Sequence, residues 1–155
     1  ATPRLACVVA GTADLASALR IAHNNAQLGL QYALSRLLLA ARASHIDAID
    51  GVFFNLQDSG GLRCSCETGR QLGFDGKSLI HPSQIETANT VFSPDPKSIA
   101  HARKVVAAWS ELDAQKQGVL VVDDQLIEAL HVRDAERLVE LSAAINAMEQ
   151  ASQGN

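Results

Sequence analysis

Three polar clusters in this 155-residue chain could do chemistry: Gly11-Thr12-Ala13-Asp14, Asp58 and His81. Carboxylates and imidazoles are side chains that hold polar ligands or exchange protons with them. Each cluster follows an apolar run that reads as a strand. In a parallel β–α architecture the site lies at the carboxyl ends of the strands. The topology, rather than any single motif, therefore gathers the three clusters on one face. Each residue also has a plainer reading. Asp14 could cap the helix that follows it, and Asp58 could cap a helix starting near Gly60. His81 could be a hydrogen-bonded histidine at a strand end. No zinc-type spacing links any of the five histidines.

The elements that must position these residues are legible from periodicity. Leu5 to Ala10 is a continuous apolar run, as expected of a strand buried on both faces, and a short helix follows from Ala13. Leu28 to Ala43 reads as a long helix, with Leu30, Leu34, Leu37, Leu38 and Ala41 at helical spacing. The second strand is expected over Ala48 to Leu56, ending in the turn Gln57-Asp58-Ser59-Gly60-Gly61. A helix over Leu62 to Leu72 is closed by Gly73. A third strand, Lys77 to Ile80, leads to His81-Pro82 and a helix from Ser83 to about Thr90, with proline in its favoured place at a helix start. Short apolar strands alternating with helices predict parallel β–α units.

Composition shifts at Phe92-Ser93-Pro94-Asp95-Pro96, where two prolines mark a hinge or turn. Beyond it lie an amphipathic helix, Lys97 to Gln115, and an extended segment, Val119 to Val122. A turn at Asp123-Asp124-Gln125 and a last helix, Arg133 to Met148, complete the chain, with Ala151 to Asn155 expected to fray. The tail from Ser93 reads as an added arm.

The chain is 47% hydrophobic and 19% charged, with a formal net charge of -4, so it can bury a core. Its basic residues do not cluster, which argues against nucleic-acid or membrane-surface binding. No uncharged run is long enough to span a bilayer, and no basic N-region precedes an apolar stretch as in a secretion signal. Cys7, Cys64 and Cys66 are odd in number and lack CxxC spacing, so they read as free thiols of a reducing cytoplasm.

The run Gly73-Phe74-Asp75-Gly76-Lys77-Ser78-Leu79-Ile80-His81-Pro82-Ser83-Gln84-Ile85 resembles the GFDGK-x-x-IHPxQI segment of the HpcH/HpaI aldolase and citrate lyase β-subunit family. Asn89, Val91-Phe92-Ser93-Pro94 and Ile99 to Trp109 continue the likeness. Upstream, Gly11-Thr12-Ala13-Asp14-Leu15 is similar to the family's G-T-E-D-L turn. Ala48 to Phe53, with Asp58 and Gly61-Leu62, resembles its next strand and turn. Downstream, Asp123-Asp124-Gln125-Leu126-Ile127-Glu128 is similar to a D-G-K-M-I-D segment, and His131-Val132-Arg133 and Ala135-Glu136-Arg137 follow the pattern. The chain departs from it at Ala13 (usually Glu), Asp124 (usually Gly) and Glu128 (usually Asp).

The resemblance implies an α/β fold: residues 1–92 as the last three β–α units of a (β/α)8 barrel, and residues 93–155 as a helical extension that serves as an oligomerisation arm. It implies a cytoplasmic Mg2+-dependent lyase that cleaves a citryl-, citramalyl- or malyl-type thioester into acetyl-CoA, or an acetylated carrier, and a 2-keto acid. Asp14 would be one of two carboxylates on Mg2+, an ion that prefers oxygen ligands. Glu128 would reach the neighbouring subunit's site and handle the proton on the acetyl carbon. Lys77 and His81 would contact substrate or the CoA portion, or else support the barrel mouth, while Asp50 and Asp58 would support neighbouring groups or the fold. Homo-oligomerisation, as a trimer or hexamer, is implied too. The second metal carboxylate and the substrate-binding arginines would come from earlier strands, so the N-terminal half of the barrel is expected as a partner. The alternative is a catalytically incomplete half-barrel acting as a structural or oligomerisation module. An open three-stranded sheet exposes two edges, so the chain is expected to be stable only with partners or as an oligomer. Sedimentation that found a folded, monodisperse monomer would contradict this.

Overall fold

The computed structural model describes residues 4–22, 27–111 and 118–153. They form two compact units, Ala1–Phe92 and Ser93–Asn155. Among the described residues no helix is long and apolar enough to cross a membrane.

The first unit alternates strands and helices in the expected order: β1 (Cys7–Val9), α1 (Thr12–Ala18), a 3-10 turn at Leu28–Leu30, α2 (Gln31–Ala43), β2 (Asp47–Asp50), α3 (Ser59–Leu72), β3 (Gly76–Lys77), a second 3-10 turn at Pro82–Gln84 and α4 (Ile85–Phe92). The strands form one parallel sheet in the order β1-β2-β3, with Val9 opposite Ile49 and Asp50 opposite Lys77. Side chains alternate across a strand, so Val8 and Ala48 share a face. That face packs on Leu34, Leu38 and Ala41 of α2. Val9, on the other face, is 57% exposed. A second cluster, Phe53, Leu62, Cys66, Ala88 and Val91, joins α3 to α4.

Helix α3 begins and ends on local chemistry. Asp58 Oδ1 accepts a hydrogen bond from the Gly61 N–H at 2.7 Å, an N-cap. At the other end Gly73 takes a left-handed conformation, φ 108°. The Phe74 N–H then reaches Gly69 O and the Gly73 N–H reaches Arg70 O, both at 3.0 Å, which satisfies carbonyls the helix leaves free.

Two strands stop earlier than their apolar runs suggest. The second was expected through Leu56 and ends at Asp50; the third was expected through Ile80 and ends at Lys77. Beyond those points a side chain replaces the ladder. The Gln84 amide, 2% exposed, donates from Nε2 to Phe53 O at 2.9 Å and accepts the Ile80 N–H on Oε1 at 3.0 Å. Buried backbone groups need partners, and here one glutamine serves both.

The second unit comprises α5 (Pro96–Glu111), an antiparallel hairpin of β4 (Val119–Val122) and β5 (Gln125–Glu128), and α6 (Ala129–Gln153). Asp95 caps α5, its Oδ2 accepting the Ser98 N–H at 3.0 Å, so Pro96 opens that helix where a missing N–H costs nothing. The stretch from Leu112 to Gln115, expected to end this helix, lies outside the described residues. The last helix starts at Ala129 instead of Arg133 and continues to Gln153, through residues expected to fray. Strand β5 is not among the expected elements, and only its first residue, Gln125, falls in the expected turn. The turn itself is Asp123-Asp124, with φ of 47° and 63°. Two successive positive φ values make the tight reversal suited to a two-residue hairpin. Aspartate tolerates this geometry, but the Asp-Asp pair lacks the glycine that usually signals it. The unit's core is Ala102, Val105, Leu120, Val122, Ile127, Val132 and Ala135.

Asp123 also ties the hairpin to α5. Its carboxylate bonds His101 Nδ1 at 3.0 Å and Lys104 Nζ at 2.9 Å, and these bonds, His101 first, hold its pKa below the usual carboxylate value. A depressed folded-state pKa gives stabilisation that is present above the unfolded pKa and lost as pH falls through the folded one. Amide-exchange protection of Val119–Glu128 is therefore expected to hold from neutral pH down to the ordinary carboxylate range and to fall below it. Asp123→Asn should flatten that dependence.

Candidate active site

The carboxyl ends of β1 and β3 carry Asp14 and His81, one in a helical first turn and one at a cap. Asp14 sits in the first turn of α1, exposed. It does not cap the helix: Gly11 is the cap residue and makes no side-chain bond. No described side chain hydrogen-bonds or pairs with the Asp14 carboxylate. Its oxygens are thus available to a ligand. Two residues before it, Thr12 is 1% exposed, and its Oγ1 is buried without a hydrogen-bond partner among the described residues. Thr12 lies against Gly51, the residue after β2. A Cβ built on Gly51 would overlap the Thr12 hydroxyl and stand 2.8 Å from the Thr12 Cβ.

His81 is exposed and caps the 3-10 turn that follows β3. Its Nδ1 accepts the Ser83 N–H at 3.2 Å and lies 2.9 Å from Ser83 Oγ. In the neutral ring that acceptor role leaves the proton on Nε2. Asp58 is occupied at the cap of α3, in keeping with the plainer reading of it.

Lys77 and Asp50 pair on the helix-facing side of the sheet. Lys77 Nζ lies 2.6 Å from Asp50 Oδ2, with side-chain exposures of 0% and 2%. Asp50 Oδ1 accepts the Gly51 N–H at 2.8 Å. The ammonium is thus buried and paired with that carboxylate, out of reach of a ligand in solvent. Helix α3 makes room for the pair at Gly69, where a Cβ would stand 2.9 Å from Asp50 Oδ2.

The most distinctive run of the sequence proves to be one piece of architecture. Gly73 ends α3, and Phe74 enters the core at 4% exposure. Asp75 Oδ2 accepts the Ala48 N–H at 2.8 Å and pairs with Arg42 at 2.8 Å. Lys77 holds Asp50, His81 caps a turn, and Gln84 bridges the strand extensions. The roles of Gln84 and Thr12 went unread in the sequence. A glutamine inside an otherwise regular helix start carries no local signal, and Thr12 matters only through a contact 39 positions away.

Glu128 closes β5 in the second unit. It is exposed, and its backbone N–H donates to His131 Nδ1 at 3.0 Å. Among the described residues no three His, Cys, Asp or Glu side chains converge as a metal cage. Asp14 accordingly offers one oxygen donor, which suits a hard cation that takes only one or two protein carboxylates and fills its other positions with water or substrate. The cysteines are free; Cys7 and Cys64 are exposed, and burial pushes the Cys66 thiol up, so it stays protonated and inert.

A carboxylate that no described side chain bonds and a helix-capping histidine follow the carboxyl ends of parallel strands, the end at which open α/β sheets generally bind ligands. The chain belongs to the HpcH/HpaI aldolase/citrate lyase family, whose model matches residues 1–82. It is 46% identical over 147 residues to a (3S)-malyl-CoA thioesterase of Cereibacter sphaeroides, a match that covers 95% of this chain and 52% of the relative. It is 41% identical over 126 residues to the citrate lyase subunit beta of Leuconostoc mesenteroides subsp. cremoris, covering 81% of this chain and 41% of that one. Among solved structures, the protein CitE from Mycobacterium tuberculosis in complex with magnesium, acetoacetate and coenzyme A superposes with a TM-score of 0.66 at 26% identity. That match covers 87% of this chain and 51% of the other. The chain spans about half the length of the curated relatives it matches.

Removing one partner of a buried ion pair strands the other charge, at a cost of about 3–5 kcal/mol. Lys77→Met is expected to destabilise the first unit on that scale in urea unfolding. Adding Asp50→Asn should recover part of the loss by removing the stranded charge.

Proposed function

We propose that this chain is the C-terminal portion of a Mg2+-dependent carbon–carbon lyase acting on a hydroxyacyl thioester of the citryl, citramalyl or malyl type. Residues 1–92 would be the last β–α units of a (β/α)8 barrel, and residues 93–155 an arm used in oligomerisation. The observation that carries the reading is Asp14: an exposed carboxylate, bonded by no described side chain, at the carboxyl end of a parallel strand, in a family with a structural neighbour that holds magnesium and coenzyme A.

In this reading Asp14 supplies one oxygen ligand. A bound Mg2+ would supply Lewis-acid polarisation of the keto-acid carbonyl. The carbon–carbon bond of the hydroxyacyl thioester breaks as its hydroxyl loses a proton to solvent water. The electron pair stays on the thioester side as an enolate, and the hydroxyl carbon becomes the carbonyl of a 2-keto acid. Glu128, exposed at the end of β5, returns a proton to the acetyl carbon from the arm, at a neighbouring subunit's site. His81, with Nδ1 committed to Ser83, has Nε2–H left as a donor to substrate. Lys77 acts through Asp50.

A second reading has a specific support, the 46% identity to a malyl-CoA thioesterase. There the same thioester is hydrolysed, and water takes the acyl carbon. The two reactions differ in products: malyl-CoA yields glyoxylate and acetyl-CoA by cleavage, but malate and free CoA by hydrolysis.

The test joins the intact mass of the native polypeptide to product analysis with malyl-CoA and citramalyl-CoA, with and without Mg2+. The lyase reading expects a mass near twice that of this chain and metal-dependent keto acid. Asp14→Ala should lower the rate by at least about 100-fold, the scale on which one lost catalytic contact acts. Malate and CoA without keto acid would favour hydrolysis. A native mass equal to this chain's with neither product would leave a structural module.

A further inference from the structure

We infer that Lys77, Asp50, Gly51 and Thr12 form a positioning relay that sets the place of Asp14; its functional meaning rests on the reading of Asp14 as a cation ligand. The relay is continuous in the structure. Lys77 Nζ holds Asp50 Oδ2 at 2.6 Å, and Asp50 Oδ1 holds the Gly51 N–H at 2.8 Å. The Ser78 N–H bonds Asp50 O at 2.9 Å, so β3 grips this residue by main chain and side chain. Gly51 then abuts Thr12 so closely that no larger residue fits between them. Thr12 is the first residue of α1, and Asp14 stands in the same helical turn.

Two features separate this from ordinary core packing. The first is the Thr12 hydroxyl. It is buried without a partner among the described residues, an unfavourable state for a polar atom, so what the side chain contributes here is its branched shape against Gly51. The second is α1 itself. The helix has seven residues and no side-chain cap, too short to hold its own first turn. The contact with Gly51 seats that turn from outside. A buried ion pair often adds little net stability compared with apolar residues. Here the same carboxylate also fixes the backbone N–H of the residue on which α1 rests, a task that apolar packing cannot perform.

The test uses the native polypeptide that carries this chain, in its native assembly, and three measurements on Gly51→Ala, Thr12→Ala, Thr12→Val and Lys77→Met. These are the amide NMR shifts of residues 11–15 without metal, Mn2+ affinity by electron paramagnetic resonance, and thermal unfolding. Gly51→Ala is expected to move the 11–15 amides and to weaken Asp14-dependent Mn2+ binding about 10-fold or more, the scale for groups that orient a metal ligand. Combining it with Thr12→Ala should restore most of both. Thr12→Val keeps the shape without the hydroxyl and should retain wild-type affinity, whereas Thr12→Ala alone should lose part of it. Lys77→Met, if folded, should shift the same amides across the sheet. If the folded variants lower the melting temperature but leave the 11–15 amides and the Mn2+ affinity at wild-type values, the relay is overturned and the contacts are packing only. Absence of Asp14-dependent Mn2+ binding in the native wild-type polypeptide would overturn the cation reading instead, and the amide shifts would still decide the relay.

Discussion

An ammonium and a carboxylate sealed from water between sheet and helix are the constraint around which the first unit is arranged. Burying either charge alone would be prohibitive, so every neighbour must accommodate the pair. Helix α3 carries Gly69 in its interior because a side chain there would press on Asp50 Oδ2. Glycine at such a position costs about 1 kcal/mol of helix propensity relative to alanine, a cost the close helix–sheet approach must offset. Asp50 spends its remaining oxygen on Gly51, and Gly51 in turn receives Thr12. One ion pair thereby specifies two glycines and the seat of a third element.

The same logic explains the segment from Gly73 to Ile85. Its residues look like a catalytic signature because several are polar and closely spaced. Most of them stitch the parallel strands together where the ladder runs out. Asp75 satisfies the first buried N–H of β2, Lys77 neutralises Asp50, and Gln84 bridges Phe53 and Ile80. A short parallel sheet has few ladder bonds, and its extensions carry backbone groups that water does not reach. Side chains take over that duty, which ties their identities to the fold. The Asp14 carboxylate, the outer nitrogen of His81 and, in the second unit, the Glu128 carboxylate make no such bond to the described residues.

The second unit shows how a departure from a family pattern is absorbed. Asp124 occupies a position at φ 63° where glycine is usual in the family it resembles. Aspartate is among the few residues that enter this region at modest cost, and its neighbour Asp123 secures the turn to α5 through His101 and Lys104. The reversal thus keeps its geometry by side-chain anchoring, and β5 still presents Glu128 at its end.

Much of this was written in local sequence. The order of elements, the parallel alternation, the Asp58 cap and the Gly73 stop follow from patterns within a few residues, because helices and their caps are set by i, i+3 and i+4 relations. The family resemblance likewise rests on runs of adjacent residues. Strand ends could not be read in this way. The apolar runs after Asp50 and Lys77 look like continuing strands, and only Gln84, folded back onto Phe53 and Ile80, shows where the ladder gives way. Strand β5 was hidden although its turn was legible, because its four residues turn only Ile127 inward and show no apolar alternation. Nor could the sequence assign Lys77: a lysine beside a strand end could face a ligand or a carboxylate. Its partner lies 27 positions away, in register on the neighbouring strand, and it is sheet pairing that decides which of the two it meets.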